Sequence, residues 1–221
     1  ELKASGVTGL ADYVADPAFL DSIFDLGFRS VLFLETIGFQ EEKAEAVAAE
    51  VEAILKNHES NCNIGIAPHA PYSVSAKLWQ RLDQLAKKYG CLLSTHLAET
   101  DEEVQFIEKG GGPLVDLLKD RQVFDMNWRV PGMTPARYLK SMNVLNETVA
   151  VHCNFIDYDM DTVQAAVFCP KSTRWFRRTH ILPVRKMLDA GIRVALGTDS
   201  LASNDSLNFL EEIRMADKLL P

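Results

Sequence analysis

Seven short apolar runs, at residues 7–14, 28–34, 64–68, 91–96, 148–153, 165–169 and 193–198, punctuate this chain of 221 residues. Most are apolar throughout instead of alternating apolar with polar. Strands of that kind are buried on both faces, as in a parallel sheet covered by helices. The segments between them have helical spacing. The stretch EEKAEAVAAEVEAILKN at 41–57 combines strong helix formers with an apolar stripe, so a helix is predicted over 40–57. Further helices are predicted at 18–26, 76–89, 102–109, 114–118, 135–142, 159–164, 182–190 and 207–219. Strand and helix alternate, which indicates repeated βα units. Two architectures compete: a (β/α)8 TIM barrel short of one strand, or an open doubly wound sheet. No strand is followed by a GxGxxG or P-loop fingerprint, which counts against the nucleotide-binding open sheet.

The remaining bulk properties exclude several functions. The formal net charge is −8, which disfavours a nucleic-acid partner. No apolar stretch approaches the roughly 20 residues that span a bilayer, so no membrane role is expected. The cysteines, Cys62, Cys91, Cys153 and Cys169, form no CxxC pair and lie in or beside apolar runs. They are expected to be free thiols in a reducing, cytoplasmic compartment. The chain opens on Glu1, Leu2 and Lys3, with no initiator methionine and no signal pattern. It is expected to be one barrel domain over 1–221, incomplete at both termini.

In a (β/α)8 barrel the active site is built at the C-terminal ends of the strands. Here the run at 64–68 ends in His69. The run at 91–96 ends in His96, with Glu99 three residues on. The run at 148–153 contains His152 near its end, and the last run leads into Asp199. The other histidines, His58 and His180, fall near helix ends and are expected to be solvated. A histidine at a strand end is commonly a hydrogen-bonded structural residue, and an aspartate after a strand is commonly a helix cap. Four such residues on one predicted rim favour a site instead. Histidine and aspartate are good ligands for one divalent metal, zinc or iron, and a neighbouring glutamate is placed to move protons.

The segments APHAPYS (67–73), THLAET (95–100), AVHCNF (150–155) and LGTDSLASNDSLN (196–208) resemble the amidohydrolase superfamily. They look most like its branch of S-adenosylhomocysteine, methylthioadenosine and aminofutalosine deaminases and related chlorohydrolases. The resemblance implies that His96 and Asp199 are metal ligands and that Asp199 also orients the attacking water. It implies that Glu99 shuttles protons to a ring nitrogen and the leaving amine, that His152 activates the water, and that His69 contacts substrate. Ser203 and Asn204 would brace the Asp199 loop. The family's binuclear members carry a lysine where this chain has Pro68 and His69, so a mononuclear site is implied.

The sequence departs from that pattern in one respect. It contains no HxH pair, which the family's first strand supplies as two further ligands. The chain is therefore expected to hold strands two to eight only, without the terminal β-sandwich, and to bind metal weakly by itself. An unfilled strand position leaves two edges that a partner segment would cover, and a homo-oligomer is a separate expectation. For substrate, Arg174 and Trp175 in the basic, aromatic segment CPKSTRWFRR (169–178) are candidates to face a purine or its ribose substituent. Glu35, after the second run, suits a hydroxyl-rich group such as ribose. The expected reaction is deamination of an aromatic amine, most of all an aminopurine nucleoside. Dechlorination, cyclic-amide hydrolysis, or a non-catalytic barrel are the alternatives.

Overall fold

The computed structural model describes residues 1–58, 63–146, 148–156 and 159–220. Seven strands form one sheet: β1 Gly9–Val14, β2 Arg29–Thr36, β3 Ile64–Pro68, β4 Leu93–Leu97, β5 Thr148–His152, β6 Ala165–Phe168 and β7 Arg193–Leu196. Every neighbouring pair is parallel, and the spatial order is the chain order. The helices are α1 Leu20–Phe24, α2 Ala44–Asn57, α3 Ala76–Tyr89, α4 Asp101–Lys109, α5 Pro113–Asp120, α6 Pro135–Ser141, α7 Pro170–Trp175, α8 Val184–Asp189 and α9 Phe209–Leu219. Parallel strands joined in sequence by helical crossovers curl the sheet into a partial (β/α) barrel. Among the described residues no ladder joins β1 to β7, so the sheet is open there.

That opening explains a difference from the sequence reading. All five residues of β3 are buried, as a doubly covered strand requires. In β1 only Val14 is buried, and β7 has no buried residue. An edge strand lacks a neighbour on one side, and hydropathy along the strand does not reveal which strand that is. Several predicted helices are also shorter than expected. Residues 41–43 form a 3₁₀ turn before α2, and 159–164 holds only the 3₁₀ turn Met160–Thr162.

The core lies between sheet and helices. Trp79, Leu82 and Leu78 of α3 are fully buried with Leu32 of β2 and Ile66 of β3. A second cluster of Phe39, Phe106, Ile107 and Leu118, with Phe124 and Trp128 against it, anchors the long connection after α5. The helix ends follow local rules. Ser75 accepts from Leu78 N at the start of α3, and Gly90 stops it in the left-handed conformation. Cys91, Cys153 and Cys169 are free thiols, and Cys62 lies outside the described residues. No described helix is long and apolar enough to cross a membrane.

Candidate active site

The predicted polar residues do come together on the C-terminal rim. β2 runs two residues further than expected, so Glu35 is its penultimate residue. His69 follows β3 directly, His96 is penultimate in β4, His152 ends β5, and Asp199 lies three residues past β7. Register does the alignment: Leu97 pairs with His152, and the His96 N–H donates to the His69 carbonyl at 2.9 Å. The His69 and His96 rings are 5.1 Å apart, and the His96 and His152 rings 5.2 Å.

The backbone here is unusual. Ala98, His152, Cys153 and Asp199 have φ of 48°, 70°, 51° and 57°. L-residues rarely adopt that left-handed region, at a cost of order 1–3 kcal/mol each, and such strain concentrates at functional sites. A close approach beside Asp199 adds to this. A Cβ on Gly197 would meet Val167 Cγ1 at 2.8 Å and Cys169 Sγ at 3.2 Å, so only glycine lets β7 enter the Asp199 turn so near β6.

His152 is the hub. Its Nε2 lies 3.8 Å from Glu99 Oε2 and 4.0 Å from Asp199 Oδ2. The Asp199 carboxylate accepts from Ser172 Oγ at 2.6 Å and from Ser200 N at 2.9 Å. Burial works to raise its pKa, but His152 and the hydroxyls of Ser172 and Ser203 outweigh it and hold the group below its ordinary value. His69 donates to or accepts from Ser73 Oγ at 2.7 Å. Glu35, His69 and His96 each bring a ligand atom within 4.8 Å of the other two.

Burial dominates the histidines and pushes His69, His96 and His152 down to about 4. All three rings are neutral at pH 7, the form that ligates metals. The Nδ1 atoms of His96 and His152 are buried and have no hydrogen-bond partner among the described residues. Neutral imidazoles with unsatisfied nitrogens beside an ionised aspartate suit a divalent ion of zinc or iron type. An NMR titration of the ring nitrogens should therefore show these three histidines protonating near pH 4. Between their ordinary value of 6.5 and about 4 the unfolded chain binds protons that the folded chain refuses, so these groups favour folding above pH 6.5 and lose that contribution as pH falls towards 4. A titration of any of them at the ordinary value would contradict the buried cluster.

Other contacts were not anticipated from sequence. Arg178 Nη2 donates to Glu99 Oε1 at 3.2 Å, and its Nε is buried without a partner among the described residues. The Tyr13 ring on β1 packs tilted against His96 at 4.9 Å, with its hydroxyl 2.8 Å from Ser94 Oγ. By contrast, Arg174 and Trp175 are exposed at the end of α7, a helix that was not among those predicted. No ion pair or hydrogen bond joins either side chain to the rim residues among those described. His180 is exposed as expected, but His58 is partly buried with its Nδ1 2.9 Å from the Ile54 carbonyl oxygen.

The Asp199 turn is clamped from outside. Ser203 donates to the Ser200 carbonyl at 3.1 Å, and Asn204 Nδ2 donates to the Thr198 carbonyl at 2.8 Å and to Glu212 Oε1 at 2.6 Å. The other Glu212 oxygen accepts from Lys171 N at 3.0 Å, at the start of α7. Glu212 is fully buried, so Glu212→Ala takes the acceptor from the buried Asn204 amide and from the partly buried Lys171 N–H. Urea unfolding should show a loss of about 2–4 kcal/mol, and a loss below about 0.5 kcal/mol would mean the clamp is inert.

The sequence profile of the Amidohydrolase family matches residues 9–220. The chain belongs to this family. Among curated amidohydrolase relatives, the aminodeoxyfutalosine deaminase of Deinococcus radiodurans is 32% identical over 240 residues, covering 100% of this chain and 56% of the relative. The 5-methylthioadenosine/S-adenosylhomocysteine deaminase of Pyrococcus furiosus is 30% identical over 231 residues, covering 99% of this chain and 50% of the relative. The crystal structure of Helicobacter pylori aminofutalosine deaminase superposes with a TM-score of 0.78 at 28% identity, over 96% of this chain and 54% of that one. The chain thus spans about half the length of the relatives it matches.

Proposed function

We propose that this chain forms most of the active-site barrel of a metal-dependent hydrolase that deaminates an aminopurine nucleoside. The observation that carries the reading is the meeting of His152 with both Glu99 and Asp199, within 4.0 Å, on the rim that also holds His96. The deaminase names of the relatives point to the same chemistry.

His96 and Asp199 are the residues of this chain that would hold the ion. A bound divalent ion lowers the pKa of water and offsets charge that develops on oxygen. Asp199 and His152 orient the attacking water, and His152 Nε2 is placed to take or hold its proton. Glu99, 3.8 Å from that nitrogen, carries a proton to the ring nitrogen and then to the leaving amine. Water adds at the amino-bearing carbon, a C–O bond forms, the C–N bond breaks, and ammonia leaves without any change of oxidation state. Arg178 fixes the Glu99 carboxylate from the far side. His69 borders the substrate, Glu35 accepts hydrogen bonds from ribose hydroxyls, and Arg174 and Trp175 meet the nucleoside substituent from the solvent side.

The test is ammonia release by the whole protein from adenosine nucleosides that differ at the 5′ substituent. Release from at least one is expected. Chloride release from chlorinated triazines with no ammonia from any nucleoside would overturn the assignment in favour of dechlorination.

A further inference from the structure

Glu103 lies in the first turn of α4 and is 1% exposed. Its side chain turns back out of the helix. Oε1 accepts from Ala98 N at 2.9 Å, and Oε2 accepts from Glu99 N at 3.0 Å. Its own N–H donates to Thr100 Oγ1 at 3.1 Å, which caps the helix. In an ordinary capping box the glutamate returns to the cap residue's N–H. Here it reaches past the cap to the two residues before it, one of which is Glu99. The Glu99 carbonyl is gripped as well, by Asn154 Nδ2 at 3.1 Å from the end of β5. Starting a helix requires none of this. It fixes the backbone of one residue, Glu99, at both its N–H and its carbonyl, between a strained Ala98 and the cap.

We propose that Glu103 is a positioning residue that sets the aim of Glu99 at His152. The proposal rests on the reading of Glu99 as proton carrier. Chemistry explains the residue type. Burial raises the Glu103 pKa, to about 8 with the two N–H donors pulling it back down, and the ionised carboxylate is the form that offers each N–H an acceptor and neither a competing donor. Glutamine has the same shape but turns an NH₂ towards one of the two amides. Phe106 and Ile107, fully buried one turn on, hold the helix and hence Glu103 against the rim.

Glu103→Gln in the whole protein is therefore expected to lower kcat for nucleoside deamination by about tenfold to a hundredfold, with KM within about twofold, because small displacements of a reacting group cost that much. In a Glu99→Gln background the same change should add nothing, since both act through one carboxylate. Hydrogen exchange at the Ala98 and Glu99 amides should quicken while β3 and β5 stay protected. If kcat falls by the same factor in both backgrounds, or is undiminished in Glu103→Gln, the proposal is overturned while the deaminase reading stands. Wild-type protein that releases no ammonia overturns both. Should Glu103→Gln fold poorly, Glu103→Asp keeps two acceptors one methylene short, and undiminished kcat there is equally fatal.

Discussion

Glu99→Gln is expected to lower kcat for nucleoside deamination by about 10²–10⁴-fold, with KM little changed. The amide keeps the shape of the side chain and an oxygen for the Arg178 donor, which stands 3.2 Å from Oε1. What it loses is the ability to pick up a proton and release it. Because the substitution is isosteric and the residue is partly exposed, the melting temperature should hold within a few degrees. Steady-state kinetics with a paired thermal melt check this. A variant within tenfold of wild type would remove Glu99 from the chemistry and leave its ion pair as a surface contact.

Asp199→Asn should be at least as damaging, and for a different reason. The aspartate gathers donors from Ser172 and Ser200 and faces His152 Nε2 at 4.0 Å. Asparagine tolerates the left-handed backbone at this position, so the turn should survive. Its neutral amide is a poor metal ligand, and it offsets none of the positive charge that His152 would gain on taking a proton from water. The expected result is loss of most bound metal and a fall in kcat of about 10²–10³-fold or more, measured by elemental analysis and kinetics on one preparation. Full metal content with full activity would mean that Asp199 serves only to cap its loop.

Much of this was legible in sequence, because strand ends in a parallel barrel share one rim. His69, His96, His152 and Asp199 each close an apolar run or follow one, and register brings them together. Arg178 was not legible. The segment 169–178 holds three arginines, and its local pattern does not rank them. Helix α7 leaves Arg174 exposed, whereas Arg177 adopts a left-handed φ of 52° just beyond the helix and the chain turns back, bringing Arg178 to Glu99. Tyr13 was hidden for another reason. It lies on an edge strand that is mostly exposed, and only the sheet's curl shows that its ring meets His96. Glu103 sits in a T-x-x-E signature that reads as a plain helix start. That its carboxylate passes the cap to reach Ala98 and Glu99 depends on the turn after β4, which depends in turn on the neighbouring strand.

On the proposed reading, these rim residues make a metal-dependent hydrolytic site. The most direct measurement is ammonia release by the whole protein as isolated, after chelation, and after readdition of zinc or iron(II), with metal per chain determined at each step. About one ion per chain is expected, with activity that disappears with the ion and returns with it. Undiminished deamination by metal-free protein would contradict that reading.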